Sequence, residues 1–200
     1  MKLKEESLIL NEYSFQAKDI PEQIFLALSN KKKDKIEIIP IKDKPGRRFG
    51  HIKPSGGMWG SMPTKNNQYI SDWHEWAIKE DFCVNKLQNV MEFTLNPNAK
   101  VLRIKNIKDL EIVATDFPVD KSLELIDMKE YYGFNCSVSW ETISKYFDAV
   151  IVTEHISIWD VPSICIFNPD AIESFKNYTI EEYAEINQKD LSIHNKALNK

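Results

Sequence analysis

Residues 46–63 read GRRFGHIKPSGGMWGSMP and hold five of the chain's six glycines and two of its three arginines. The 54–57 run, Pro-Ser-Gly-Gly, is a turn signal, with short extended segments expected at 49–52 before it and 58–61 after it. Glycines permit positive φ and a close approach of backbone to a ligand. Arg47, Arg48, His51 and Lys53 crowd that turn, and cationic side chains beside exposed backbone amides suit an anionic ligand. A glycine-rich hairpin with no ligand fits the same residues. His51 by itself reads as a histidine satisfied within a strand.

Working outward, residues 36–41, IEIIPI, read as a strand ending at an edge, because Pro40 lacks a donor. Residues 21–30, PEQIFLALSN, read as a short helix with Pro21 in its first turn and Ile24, Phe25 and Leu28 on one face. Residues 7–15 read as a first strand, and the NKKKDK run at 30–35 as a solvated turn. On the other side, residues 66–85 read as a helix capped by Ser71 with Asp72 in its first turn. Trp73 and Trp76, three apart, share a face. They read either as a core-facing pair or as indoles that stack on a bound ring.

Strands are expected at 91–95 and 99–104 around the Asn96-Pro97-Asn98 turn, and at 149–153 (AVIVT) and 163–167 (SICIF). Helices are expected at 108–114 and from Ser139 onward. Short strands with a few intervening helices, and no glycine fingerprint of a dinucleotide-binding βαβ unit, give an α+β class with a mixed or largely antiparallel sheet. One domain over residues 1–177 is expected. Residues 178–200, rich in charged and polar side chains, are expected as a frayed or disordered tail.

Composition narrows the function classes. Formal net charge is −4, which disfavours an extended nucleic-acid surface. Cys83, Cys136 and Cys165 have no metal-ligand spacing and read as reduced thiols of a cytoplasmic protein. His74 and His155 are not spaced with carboxylates as metal ligands, so no metal is assigned. The opening MKLKEESLIL does not read as a signal peptide, and no apolar run reaches the length of a membrane span.

Two blocks, residues 53–61 with the following Trp73/Trp76 helix, and 146–150 with 160–169, together resemble ADP-ribosyltransferase-like proteins of a bacterial and phage type that carry a KPxGGLW-like turn. The resemblance covers roughly residues 46–172. It implies a domain of that fold that binds NAD as substrate, breaks the nicotinamide–ribose bond and passes ADP-ribose to an acceptor, which could be macromolecular. Arg47, Arg48 or Lys53 would meet the pyrophosphate. Gly56 and Gly57 would offer backbone amides, Trp59 or Trp73 would face the nicotinamide, and His51 would border the same pocket. Ser61 would fix the sugar, and Ser163 or Asp160 would bond the ribose hydroxyl. Many members carry a glutamate on the late strand. This chain has Asp160 and Ser163 there, with Glu154 on the preceding strand, and one branch of the family uses a late serine. Ser163 also reads as a plain strand-initiating serine and Asp160 as a turn residue. A module that binds a nucleotide or a host protein without cleaving NAD is the alternative, as is an unrelated α+β protein whose tryptophans are all core.

Overall fold

The computed structural model describes residues 14–21, 23–45, 51–124, 127–154, 156 and 159–199. Residues 149–152, AVIV, form a strand buried at every position, and so do residues 163–166, SICI. A continuous apolar run suits a strand covered on both faces, and these two lie side by side in the middle of an eight-stranded sheet. In chain order the strands are β1 (Ser14–Gln16), β2 (Ile24–Ser29), β3 (Met58–Ser61), β4 (Asn89–Leu95), β5 (Lys100–Ile104), β6 (Ala149–Val152), β7 (Ser163–Ile166) and β8 (Ile172–Thr179). Their spatial order is β1-β5-β6-β7-β3-β2-β4-β8. Every pairing is antiparallel except β5 with β6. That parallel pair needs a crossover, and the chain between the two strands supplies it with helices. The result is one domain on one mixed sheet, as the α+β reading expects.

The described helices are α1 (Asp72–Lys79), α2 (Ile107–Asp116), α3 (Met128–Tyr132), α4 (Trp140–Ile143), α5 (Ile180–Ile186) and α6 (Ser192–Leu198). Side-chain alternation sends Leu102, Ile104, Val150, Val152 and Cys165 to one face of the sheet, where Leu110, Val113, Trp140, Ile143 and Trp159 cover them. Val101, Ala149, Ile151, Ile164 and Ile166 go to the other face, with Phe25 stacked on Phe93 at 5.7 Å between ring centroids.

Four local expectations are corrected. Residues 24–29 form β2 rather than a helix. Phe25 and Leu26 are both fully buried on opposite faces, and β2 pairs with β4 along its whole length. A short apolar run fits either periodicity, and here pairing decided. Residues 36–41 contribute one isolated bridge, Ile39 to Gly57, instead of a strand. Residues 51 and 52 form a turn and a bend, while 49 and 50, like 1–13, lie outside the described residues. The helix expected over 66–85 is confined to α1, because Asp81 and Cys83 adopt positive φ and a 3-10 turn follows at Val84–Lys86.

Residues 178–199 are not frayed. Tyr178 lies inside β8, and Thr179 with Glu182 forms a reciprocal capping box that opens α5. Ile180, Tyr183 and Ala184 are buried beneath it, and His194 of α6 is buried against α1. Each helix buries one face of an otherwise charged stretch, which average polarity conceals.

Candidate functional site

The glycine-rich block and the late strand meet directly. β3 pairs with β7 in the register Trp59 to Cys165 and Ser61 to Ser163. On its other side β3 meets β2 only at Leu26 to Ser61. Beside this narrow junction lies a cleft of about 400 Å³, within the size range of small-molecule sites. Leu26, Leu28, Gly60 and Val161 line it together with the indoles of Trp59, Trp73 and Trp159. Its polar residues are Lys53, Ser61, Asp160 and Ser163. Six of the twelve residues expected in the site therefore converge: Lys53, Trp59, Ser61, Trp73, Asp160 and Ser163.

The aromatic walls are held rigidly. Trp59 donates its indole N–H to the Gly56 carbonyl at 3.0 Å and lies 5.7 Å from Trp159, tilted by 50°. Trp159 packs edge-on against Trp140, whose indole donates to the His51 carbonyl at 2.6 Å. The Trp159 indole in turn donates to Ser163 Oγ at 2.7 Å, and that hydroxyl donates to the Val161 carbonyl at 3.1 Å.

The Ser61 hydroxyl accepts from the backbone N–H of Trp73 at 3.3 Å and donates to Ser71 Oγ at 2.8 Å. Ser71, the N-cap of α1, accepts from the His74 amide, and the Asp72 amide donates to the Met62 carbonyl. The first amides of α1 are thus satisfied from within the protein, so this helix end does not offer them to an anion. Asp72 is held above the usual carboxylate range, first by burial and then by Glu75 nearby.

On the more exposed side of the cleft, the Lys53 ammonium bonds the Asp160 carboxylate. The lining of the cleft is thus mainly indole and aliphatic, with the charged groups gathered on the Lys53–Asp160 side. Cys165 is raised well above the ordinary thiol value by burial, and Cys136 is pushed up to about 11, mainly by burial. Neither supplies a thiolate nucleophile near neutral pH.

The other expected residues stand elsewhere. Gly56 and Gly57 adopt φ of +122° and +73° but serve the turn itself. The Gly57 amide donates to the Ile39 carbonyl at 2.7 Å, and a Cβ on Gly56 would come within 2.6 Å of the Pro40 oxygen. Gly60 lines the cleft instead. His51 is buried, with Nε2 at 3.0 Å from the Lys44 carbonyl. Glu154 is exposed just beyond β6 and is not among the residues lining the cleft. Arg47 and Arg48 lie outside the described residues.

Sequence reading missed Leu26, Leu28, Gly60, Trp159 and Val161. The first two were hidden by reading β2 as a helix. Trp159 had a usable signal, four residues before Ser163. Among the described residues, no group of three or more His, Cys, Asp or Glu could hold a metal ion, and no helix is long and apolar enough to cross a membrane. Comparison of the chain with protein-family models, curated proteins and solved structures finds no match.

Proposed function

We propose that the cleft receives the nicotinamide end of NAD and that the chain is an ADP-ribosyltransferase-like protein, which breaks the nicotinamide–ribose bond and passes ADP-ribose to an acceptor. One observation carries this reading. Ser61 and Ser163, from the two blocks that resemble that family, are direct cross-strand partners and line one aromatic cleft. An indole-lined wall suits a cationic pyridinium ring.

When the C1′–N bond breaks, its electron pair moves to the ring nitrogen, nicotinamide leaves neutral and positive charge develops on the ribose. The Asp160 carboxylate lines the cleft and would stabilise that charge. Lys53, its ion-pair partner, would face the phosphates. Ser163 would act by fixing Trp159, since its hydroxyl donates to Val161 and accepts from that indole.

A second reading, a module that binds NAD or another nucleotide without cleaving it, is favoured by that same inward bonding of Ser163 and by Glu154 lying outside the cleft lining. Tryptophan fluorescence during NAD titration, followed by assay of nicotinamide release from wild type, Asp160→Asn, Glu154→Gln and Ser163→Ala, separates the two. Binding with release that Asp160→Asn abolishes supports the transferase. Binding without release, with acceptors supplied, supports the module. If NAD leaves the fluorescence unchanged and is not bound in calorimetry, both readings fail.

A further inference from the structure

Beside the cleft, Trp73 and Trp76 of α1 and Phe82 just beyond it form an aromatic cluster that extends onto the surface. Trp73, which lines the cleft, stacks on Trp76 at 4.8 Å and 22°, and Phe82 closes on both indoles at 6.0 Å and 5.4 Å. Phe82 is 47% exposed, and both tryptophans are half-buried. The cluster thus leaves part of three neighbouring rings open to a partner.

Its surroundings are anionic. Residues 72–81, DWHEWAIKED, carry four carboxylates and one lysine. The lysine, Lys79, is bonded to Glu75 at 2.7 Å. Asp72 and Glu80 lie four residues before and after Trp76, on the same side of the helix. Glu80 and Asp81 are exposed. Burial first, and then Glu75 nearby, raises the Asp72 pKa. Aromatic faces within a negative field attract cations and repel phosphate.

We propose that the Trp73–Trp76–Phe82 face docks a lysine- or arginine-bearing polypeptide segment, the acceptor of the transfer, one nucleophilic side chain of which would form the new bond to C1′ and give up its proton to solvent as nicotinamide leaves. This rests on the reading of the cleft for its role as acceptor. It does not rest on it for the docking itself. The cationic side chain lies against Trp76 and Phe82, and Glu80 and Asp81 offset its charge. Continuity through Trp73 brings the segment to the edge of the cleft. A single-stranded nucleic acid would also stack on indoles, but its phosphates would meet the carboxylates.

The test uses the full chain and three probes, a hexa-arginine peptide, hexaglutamate and oligothymidylate, with affinity read by calorimetry at low and moderate salt. The expected result is that hexa-arginine binds and the other two do not. Trp76→Leu, which keeps an apolar side chain but removes the indole face, should weaken binding by roughly fivefold, the order of a half-exposed cation–π contact. The Glu80→Gln/Asp81→Asn double variant, exposed and outside the cleft, should weaken it further and flatten its salt dependence while leaving NAD affinity unchanged. Equal affinity in all three proteins, or preference for oligothymidylate, overturns the proposal. NAD titrated into the same preparations keeps the two readings apart. NAD binding without peptide binding overturns the docking face alone. Peptide binding without NAD binding overturns the cleft reading alone.

Discussion

Ser61 and Ser163 lie opposite one another in the β3–β7 ladder, and both hydroxyls are bonded into the protein, one to the start of α1 and the other to Trp159. The cleft beside them is therefore braced by its serines and presents mainly indole and aliphatic surface.

Removing the Ser163 hydroxyl should be felt first in folding. Ser163→Ala leaves the Trp159 indole N–H, in a residue only 1% exposed, without its acceptor. An unsatisfied buried donor costs about 1–3 kcal/mol. Urea denaturation should show a midpoint lowered to match, with a shift in tryptophan emission.

Ser61 and Ser71 cap the same helix and bond each other at 2.8 Å. Each single alanine variant should cost about 1 kcal/mol. The double variant should cost less than their sum, because the first change already removes the shared bond. A double-mutant cycle measured by urea unfolding checks this, and strict additivity would show the network to be uncoupled.

Two left-handed glycines should respond differently to alanine. Gly133, at φ +80°, has open space around its Cβ position, so Gly133→Ala should cost about 1–2 kcal/mol, the price of the conformation alone. Gly57, at φ +73°, would drive a Cβ into Cys165 Sγ and to within 2.9 Å of the Ile166 carbonyl. Gly57→Ala should be clearly worse, and comparison of the two thermal midpoints tests the ranking.

Acid should loosen the contact between α1 and α6. His74 Nδ1 accepts from the Ile70 amide at 3.1 Å, so its proton is on Nε2, which donates to His194 Nδ1 at 3.0 Å. Burial, then the neighbouring His194, lowers His74 from 6.5 to about 3. Burial also lowers His194, against a smaller upward pull from Glu181. Between those pH values the unfolded chain binds more protons than the folded one, so stability is complete above about 6.5 and is lost as pH falls. The full loss is on the order of a few kcal/mol. Urea midpoints between pH 7 and 5, above the ordinary carboxylate range, should fall in wild type. They should stay nearly level when His74 and His194 are both asparagine.

The central strands were legible because AVIV and SICI are apolar at nearly every position and flanked by polar turns. Ser71 was legible as a cap because the serine precedes an acidic first turn. The cleft was legible in its polar members and two of its three indoles, Lys53, Trp59, Ser61, Trp73, Asp160 and Ser163, which cluster in two short blocks. Its aliphatic side was not, because Leu26 and Leu28 belong to a run that suits helix and strand equally until β4 pairs with it. Gly56 and Gly57 showed the need for positive φ but not its purpose. That purpose is set by Ile39, Pro40 and Cys165, which only the tertiary arrangement brings close. Residues 178–199 were misjudged because burial of His194 and Tyr183 depends on partners far away in the chain.

The place of β7 between β6 and β3 also orders events during synthesis. β3 emerges early, yet the neighbour that carries Ser163 follows after about a hundred further residues, as does Asp160 for Lys53. Contacts of such sequence separation slow folding. Without β7, β3 would be left with the single Leu26–Ser61 bridge to β2 and an unpaired edge along Met58–Ser61, and such an edge recruits other strands. A nascent chain paused before residue 163 would thus present Met58–Ser61 as an aggregation-prone edge, and the cleft would exist only once β7 had closed that edge.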